Sequence, residues 1–469
     1  MSEIKESKTW CPLPWIFQAV RNNGDLRVCC QANTAESRGL LLKEDGSVFN
    51  ANHDDLLESR NSSVLKKVRL DMLAGRDPEP CLRCQREDSC QIISRRHYEK
   101  ENWAHHIDFD KAKKWTREDG SIDLRQSPAV YFDLRFGNLC NLKCRMCGPT
   151  DSNKWFGDQV ALWGPKFWDS HGEVELVETS AGRFKTKNAD YDWIDSPNFW
   201  NQIDQMASEI RHIQVVGGEP LLIQKHYDLL EKIIERSDAS QVTVEYNSNV
   251  TTIPDRAWKI WKNFGRVMIG ASVDGIGKVD EYIRYPSRWP EIEANLDRLD
   301  KEPGPFRVWL AATIQVYNAL HLPDFIQWKF EKNFERINNN DRRPILNTHP
   351  LHNPKFLNLK ALPPLYKMKV EKRYSDYLLE LEQWMQRQDY VPERIAFYKG
   401  AVEKLLAGYV TYMNESDWSP ELEKFWYYTV ELDRLRGQSL KETVPELYES
   451  VAKFLGKAEE MAHSTPTLY

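Results

Sequence analysis

Between residues 126 and about 345, short apolar runs alternate with longer amphipathic stretches. AVYFDLRF (129–136), IRHIQVVGG (210–218), QVTVEYNSN (241–249), RVMIGASVDG (266–275) and FRVWLAATIQV (306–316) each read as a strand, and PILNTHPL (344–351) as a sixth. A helix near Ser196 to Glu209 precedes the second strand, and the periodic run IQKHYDLLEKIIERS precedes the third. Buried-type strands separated by helices argue for a parallel sheet, hence an α/β fold. About six repeats predict an open or partial barrel whose ligands meet the carboxyl ends of the strands. Beyond residue 346 the period turns helical, with Tyr374, Tyr377, Leu378, Leu381 and Met385 on one face and Ser419-Pro420 as a cap and first turn.

This pattern divides the chain into residues 1–125, 126–345 and 346–469. The middle region carries an insertion, 151–200, rich in tryptophan: Trp155, Trp163, Trp168, Trp193 and Trp200. Fifty residues between a strand and its successor read either as a lid that contacts substrate or as a packed surface subdomain.

Composition narrows the class. Hydrophobic residues make up 41% and charged residues 29%, with a formal net charge of −6. That balance gives no general attraction to nucleic acid or anionic membrane. No apolar run approaches the ~18 residues of a membrane helix. MSEIKESKTW lacks a basic-then-apolar leader, so a cytoplasmic location is expected. Nine cysteines are many for a reducing compartment, and all lie at or before Cys147. Their clustering favours metal or cluster ligation over a disulfide framework.

Three of them form CNLKCRMC, in which Cys140, Cys144 and Cys147 follow the first strand as C-x3-C-x2-C. A structural zinc site wants four ligands. An iron–sulfur cube held by three thiolates keeps one iron open to a small molecule. The loop resembles the signature of the radical S-adenosylmethionine (radical SAM) superfamily, and further motifs agree in order and strand context. GGEP (Gly217, Gly218, Glu219, Pro220) resembles the family's glycine-rich motif. YNSN, ending at Asn249, resembles the third-strand motif. ASVDG, with Ser272 and Asp274, resembles the fourth-strand segment, with Arg284 following. The resemblance covers roughly residues 126–320. Val250 stands where the family usually has glycine, and Met146 where it usually has an aromatic residue.

The resemblance implies a partial (β/α)6 radical SAM barrel. In it Cys140, Cys144 and Cys147 would hold a 4Fe-4S cluster. Met146, Gly217, Gly218, Glu219, Pro220, Asn249, Ser272, Asp274 and Arg284 would line the S-adenosylmethionine site. It implies reductive cleavage to a 5′-deoxyadenosyl radical, hydrogen abstraction from a substrate carbon, and an electron donor such as flavodoxin or ferredoxin. A non-catalytic iron–sulfur or zinc module built on the same scaffold is the other reading.

The six upstream cysteines have their own spacing. Cys11, Gly24 and Cys29 match C-x(9–15)-G-x4-C, and Cys81, Cys84 and Cys90 match C-x2-C-x5-C. Both pieces resemble the auxiliary-cluster domains called twitch and SPASM, here placed before the barrel. The resemblance implies one auxiliary iron–sulfur cluster, with Cys11, Cys29, Cys81 and Cys84 as first-choice ligands and Cys30 or Cys90 as replacements. Zinc is the alternative occupant, since a C-x2-C pair suits it too. Relatives act on peptides or on small molecules such as sugars or nucleotides. Gln315 and Asn318, after the fifth strand, are candidate lining residues, and His349 and His352 read either as site residues or as structural ones.

Overall fold

The computed structural model describes residues 8–32, 39–89, 94–170, 172–188, 190–338 and 345–457. In chain order the strands are β1 (Phe17–Val20), β2 (Leu26–Arg27), β3 (Tyr131–Arg135), β4 (Lys166–Asp169), β5 (Gly172–Glu178), β6 (Phe184–Thr186), β7 (His212–Val216), β8 (Thr243–Ser248), β9 (Arg266–Ser272), β10 (Phe306–Ile314) and β11 (Asn347–Pro350). The main sheet runs β11-β10-β9-β8-β7-β3-β1-β2. Every pairing from β11 to β1 is parallel, and only β2 is antiparallel to its neighbour. The fold is therefore α/β with a mostly parallel sheet, consistent with a radical SAM partial barrel, followed by a helical C-terminal region.

The six expected strands of the middle region appear as β3 and β7–β11, each shorter than its apolar run. The trimmed ends are the turns that carry the motifs. GG of 217–218 leaves the sheet with φ of 91° and 52°, which extended backbone does not allow. β1 and β2 were not anticipated. Four residues inside a cysteine-rich segment carry too little alternation to stand out. β1 lies beside β3, with Phe17 opposite Tyr131 and Val20 opposite Leu134.

The two faces of the sheet differ in chemistry. Val244, Tyr246, Ile213, Val215, Ile269, Leu310 and Ala312 are almost wholly buried. Their side is the helix-covered one: the Tyr246 hydroxyl meets His226 of helix Gln224–Arg236 and Trp261 of helix Asp255–Trp261, both at 3.0 Å. The alternate positions form the inner face and are polar: Asp133, Gln214 and Glu245 stand in register on β3, β7 and β8. Helix Arg95–Trp103 closes its lower end, where Arg95 donates to the Tyr131 hydroxyl at 2.6 Å and Trp103 stacks on Tyr131.

The insertion folds into the antiparallel sheet β4-β5-β6 over a small core of Phe156, Phe167, Val174, Leu176 and Tyr191. Trp155 and Trp193 are buried, whereas Trp168 is 76% exposed. The C-terminal helices Pro364–Arg387, Pro392–Asn414 and Leu422–Arg436 pack on the barrel. Tyr374, Tyr377, Leu381 and Met385 are buried as the period predicted. Ser419–Glu421 is a short 3-10 turn that no described side chain caps; Asp417, just before it, accepts from the Ser419 amide at 2.9 Å. No helix among the described residues is long and apolar enough to cross a membrane.

His226 is a titratable group inside this core. Its Nδ1 faces the Ile223 carbonyl at 3.2 Å and its Nε2 faces Tyr246. Burial holds its pKa down to about 3, against an ordinary 6.5. The folded state keeps the ring neutral while the unfolded chain takes up a proton below 6.5. The stability it supplies is therefore complete above pH 6.5 and is lost as pH falls toward 3. Urea denaturation at pH 7.5 and 5.5 checks this. The wild-type protein should lose about 1 kcal/mol more than His226→Gln over that interval; identical pH responses would exclude the buried neutral ring as the cause.

Candidate functional site

The three-cysteine loop follows β3 and rests on the β7 turn. A Cβ on Gly218 would lie 2.1 Å from the Leu139 carbonyl oxygen, and one on Gly217 would lie 2.9 Å from that of Gly137. These glycines let the β7 turn press against the loop leading to Cys140. The Glu219 amide then donates to the Leu139 carbonyl at 2.8 Å.

Glu219 carries the link onward. Its buried carboxylate accepts from the Ser248 hydroxyl at 2.8 Å, the Asn249 amide at 2.7 Å and the Leu221 amide at 3.2 Å. Burial pushes its pKa up to about 7 despite those donors. Pro220 opens a short 3-10 turn, Pro220–Leu222. The Asn249 side chain donates to Asn141 inside the cysteine loop at 2.9 Å, and Asn141 in turn donates to Thr251 at 2.8 Å. Val250 has φ of 47° with a wholly buried side chain. A β-branched residue there stores of order 1–3 kcal/mol. Its carbonyl accepts from Asn295 at 2.8 Å, so the left-handed turn persists without glycine.

Asp274 and Arg284 are also brought together. Arg284 donates to Asp274 at 2.6 Å, and Asp274 accepts from the Thr313 amide at 2.7 Å. The Asp274 carbonyl accepts from Asn318 at 2.8 Å, which makes Asn318 a brace. Asp280, buried beneath this pair, has its pKa raised to about 8 by desolvation. Ser272, half-buried at the end of β9, makes no side-chain hydrogen bond with any described residue. Gln315 is fully buried, and neither atom of its side-chain amide has a partner among the described residues. The Arg284 Nε and Asp280 Oδ2 are also unmet. These atoms mark polar capacity left open at the carboxyl end of the sheet. His349 pairs with Thr313 at 3.1 Å, and His352 faces Tyr412 at 3.4 Å.

The thiols themselves sit in low-dielectric surroundings. Cys140, Leu142 and Cys144 form a buried cluster with Met146 and Cys147 against it. Burial pushes the Cys140 thiol up to about 12, while the Leu142 amide donates to its sulfur at 3.4 Å. A hydrogen bond shared with Cys147 holds Cys144 low, at about 7, with Arg284 contributing, and pushes Cys147 up. Three thiols, an N–H···S bond and a buried cation fit an anionic iron–sulfur group better than free sulfhydryls.

Sequence reasoning missed the other side of this loop. Arg145, between two of the cysteines, is fully buried. Its guanidinium stacks on Tyr282 at 3.6 Å and donates to the Tyr282 carbonyl at 3.0 Å, to Gln438 at 2.9 Å and to Asp433. Asp433 also accepts from the Tyr282 hydroxyl at 2.9 Å and the Leu440 amide at 2.7 Å. Tyr428 donates to the Arg145 carbonyl, and Arg436 reaches Asp158 at 2.8 Å. Helix Leu422–Arg436 thus clamps the cysteine loop from outside. A partner 288 residues away leaves no local signal.

The second cysteine group lines a small pocket whose wall includes Cys11, Cys29, Cys81 and Cys84. Each of these thiols has its pKa raised, with burial the first cause. Cys30 is not on this wall; it faces Arg95, Arg27 and Asp133 instead. Cys90 lies outside the described residues. Among the described residues no three His, Cys, Asp or Glu side chains close on a single ion.

Residues 134–310 match the family model of the Radical SAM superfamily. No curated protein matches the chain. Among solved structures, native anSMEcpe with bound AdoMet is 15% identical, covering 58% of this chain and 63% of that one at a TM-score of 0.33. Streptococcus suis SuiB bound to S-adenosylmethionine is 14% identical over 62% and 58%, at 0.30. SuiB bound to precursor peptide SuiA is 13% identical over 71% and 66%, at 0.29. The chain thus spans about 63% of the length of the anSMEcpe structure.

Removing Asp433 leaves the Arg145 charge buried and unpaired. Asp433→Ala should cost about 3 kcal/mol of unfolding free energy, and Asp433→Asn, which keeps an acceptor, clearly less. Urea denaturation of the two variants measures it; losses below about 1 kcal/mol for both would mean the clamp contributes little.

Proposed function

We propose that this chain, a radical SAM superfamily enzyme, binds a 4Fe-4S cluster through Cys140, Cys144 and Cys147 and S-adenosylmethionine beside it, and modifies a substrate carbon by radical chemistry. When bound, the reduced cluster and S-adenosylmethionine supply a 5′-deoxyadenosyl radical that abstracts hydrogen from an otherwise inert carbon. The observation that carries the reading is the junction of three thiols with GGEP and the YNSN turn at the carboxyl end of a parallel sheet.

This chain's own residues divide into two sets. Ser272 and Gln315 have unspent hydrogen-bonding capacity, and Met146 offers a polarisable surface beside the thiols. They are the groups that would touch S-adenosylmethionine, with the Gly217-Gly218 backbone alongside. Glu219, Pro220, Asn249, Asp274 and Arg284 act mainly by fixing the loop. Their polar atoms are largely committed to one another. Arg284 also offsets thiolate charge.

Residues 1–125 form a twitch-like auxiliary unit in this reading, 126–345 the radical SAM partial (β/α)6 barrel, and 346–469 a helical buttress. Cys11, Cys29, Cys81 and Cys84 hold a second iron–sulfur cluster. Burial lowers the pKa values of His349 and His352 and the charge of Arg83, between Cys81 and Cys84, adds to it, so that unit lies near the last barrel strand. A second cluster there suits removal of an electron from a substrate radical. The electron donor is a flavodoxin or ferredoxin, the setting is cytoplasmic, and the substrate is a peptide or a small molecule such as a sugar or nucleotide. Zinc at the four-cysteine pocket is the one competing occupant.

Anaerobic reconstitution tests the reading. The wild-type protein should carry roughly eight iron atoms per chain, two cubes, and release 5′-deoxyadenosine on reduction. Replacing Cys140, Cys144 and Cys147 by Ala should halve the iron and abolish release; release that survives would falsify the assignment. One cluster plus one zinc would move the upstream site to zinc. Gly218→Ala, whose methyl meets the Leu139 carbonyl, should lose the iron of the three-cysteine site while keeping that of the upstream one, read as iron per chain.

A further inference from the structure

The inner face of the sheet holds an arginine with no partner among the described residues. Arg135 ends β3, five residues before Cys140, and shares its face with Asp133 and Tyr131. It makes no hydrogen bond or ion pair with any described residue, and its Nε is buried without a partner. Asp133 and Asp151 are near enough to be felt but lie beyond ion-pair distance. Burial and the neighbouring Arg27 both push its pKa down, the sign of a cation not fully compensated.

Other buried arginines of this protein behave differently. Arg69 makes five hydrogen bonds, to the carbonyls of Pro14, Arg60 and Gly120 and to Asn61. Arg145 is stacked on Tyr282 and donates to three partners, though its Nη1 is unmet. Arg135 is half-buried, and the nitrogen it has lost from water without a partner is costly. Other buried arginines also leave a nitrogen unmet, but each makes at least one hydrogen bond, whereas Arg135 makes none with a described residue.

Arg27 stands in the same corner. It is 7% exposed, on β2, and reaches Asp133 through one nitrogen at 3.1 Å. That single contact leaves its Nε and the Asp133 Oδ1 buried without partners. Below, Tyr131 is already spent on Arg95 and on Gln214 at 3.1 Å. The unmet donors therefore lie in the part of the inner face nearest the cysteine loop.

We propose that Arg135, supported by Arg27, anchors an anionic oxygen group of the substrate, a carboxylate or a phosphoryl group, on the inner face of the barrel. The fork of a guanidinium matches two oxygens of such a group at once. Bound there, the anion would fix the rest of the substrate close to the loop that ends at Cys140. This rests on the radical SAM reading of the site and adds the chemical class of what it receives.

The test uses the reconstituted full chain at constant ionic strength, with chloride replaced by acetate or by inorganic phosphate. One of the two should raise the thermal midpoint of the wild-type protein saturably, by about 2 °C or more. Acetate acting alone identifies a carboxylate ligand, and phosphate acting alone a phosphoryl ligand. Arg135→Met should abolish the rise and Arg135→Lys should weaken it. Arg434→Met, on an exposed helix end, should leave it intact. A wild-type midpoint indifferent to both anions, or a full response in folded Arg135→Met or Arg135→Lys, overturns the proposal. Release of 5′-deoxyadenosine is scored separately, so a wild-type protein that cleaves S-adenosylmethionine yet shows no anion response sinks the anchor alone.

Discussion

The geometry of the site depends on the missing side chain at residue 218. Backbone meets backbone there: the β7 turn and the cysteine loop approach until the space for a Cβ is occupied by the Leu139 carbonyl. Everything placed on the loop inherits this contact. The Glu219 amide completes it, and the Glu219 carboxylate passes it to Ser248 and Asn249, whose side chain returns to Asn141. Three motifs far apart in sequence thereby close into one ring of hydrogen bonds around the thiols. A buried carboxylate at the centre is costly, and its three donors offset that cost.

From outside, the loop is held by a different kind of force. Arg145 is packed between aromatic rings and a carboxylate contributed by the C-terminal helix. The ring of neutral and charge-assisted bonds sets the shape of the loop, and the buried ion pair sets its position against the barrel. A buried pair is weak evidence for stability but attests to one arrangement, because alternatives leave a charge unmet. The helical region thus contributes to the site by holding the cysteine loop in place.

Much of this was legible in the residues. The six strands of the middle region stand out because each is a continuous apolar run bounded by turn residues. The thiol spacing, GGEP and ASVDG mark the carboxyl ends where the structure puts them. Three things were not legible. β1 is four residues long, and its pairing with β3 is a tertiary event without periodicity of its own. The Arg145–Asp433 pair joins residues whose local contexts are an ordinary loop and an ordinary helix end. Val250 breaks the glycine pattern, yet Asn295 and the surrounding core enforce the same left-handed turn. Local composition records what a backbone prefers, not what distant packing compels.

The position of β1 also bears on how the chain is built. It pairs in parallel with a strand more than a hundred residues later, so the loop closed is long even though its entropy grows only slowly with length. During synthesis, residues 17–20 emerge well before the strand that completes them. Until β3 arrives, the early part of the chain presents a sheet edge with unanswered amides and carbonyls, alongside the sulfur atoms of Cys11, Cys29, Cys81 and Cys84. The order of assembly is thereby constrained: the first barrel strand finishes the N-terminal segment's sheet, so the early and middle parts of the chain fold as steps of one process.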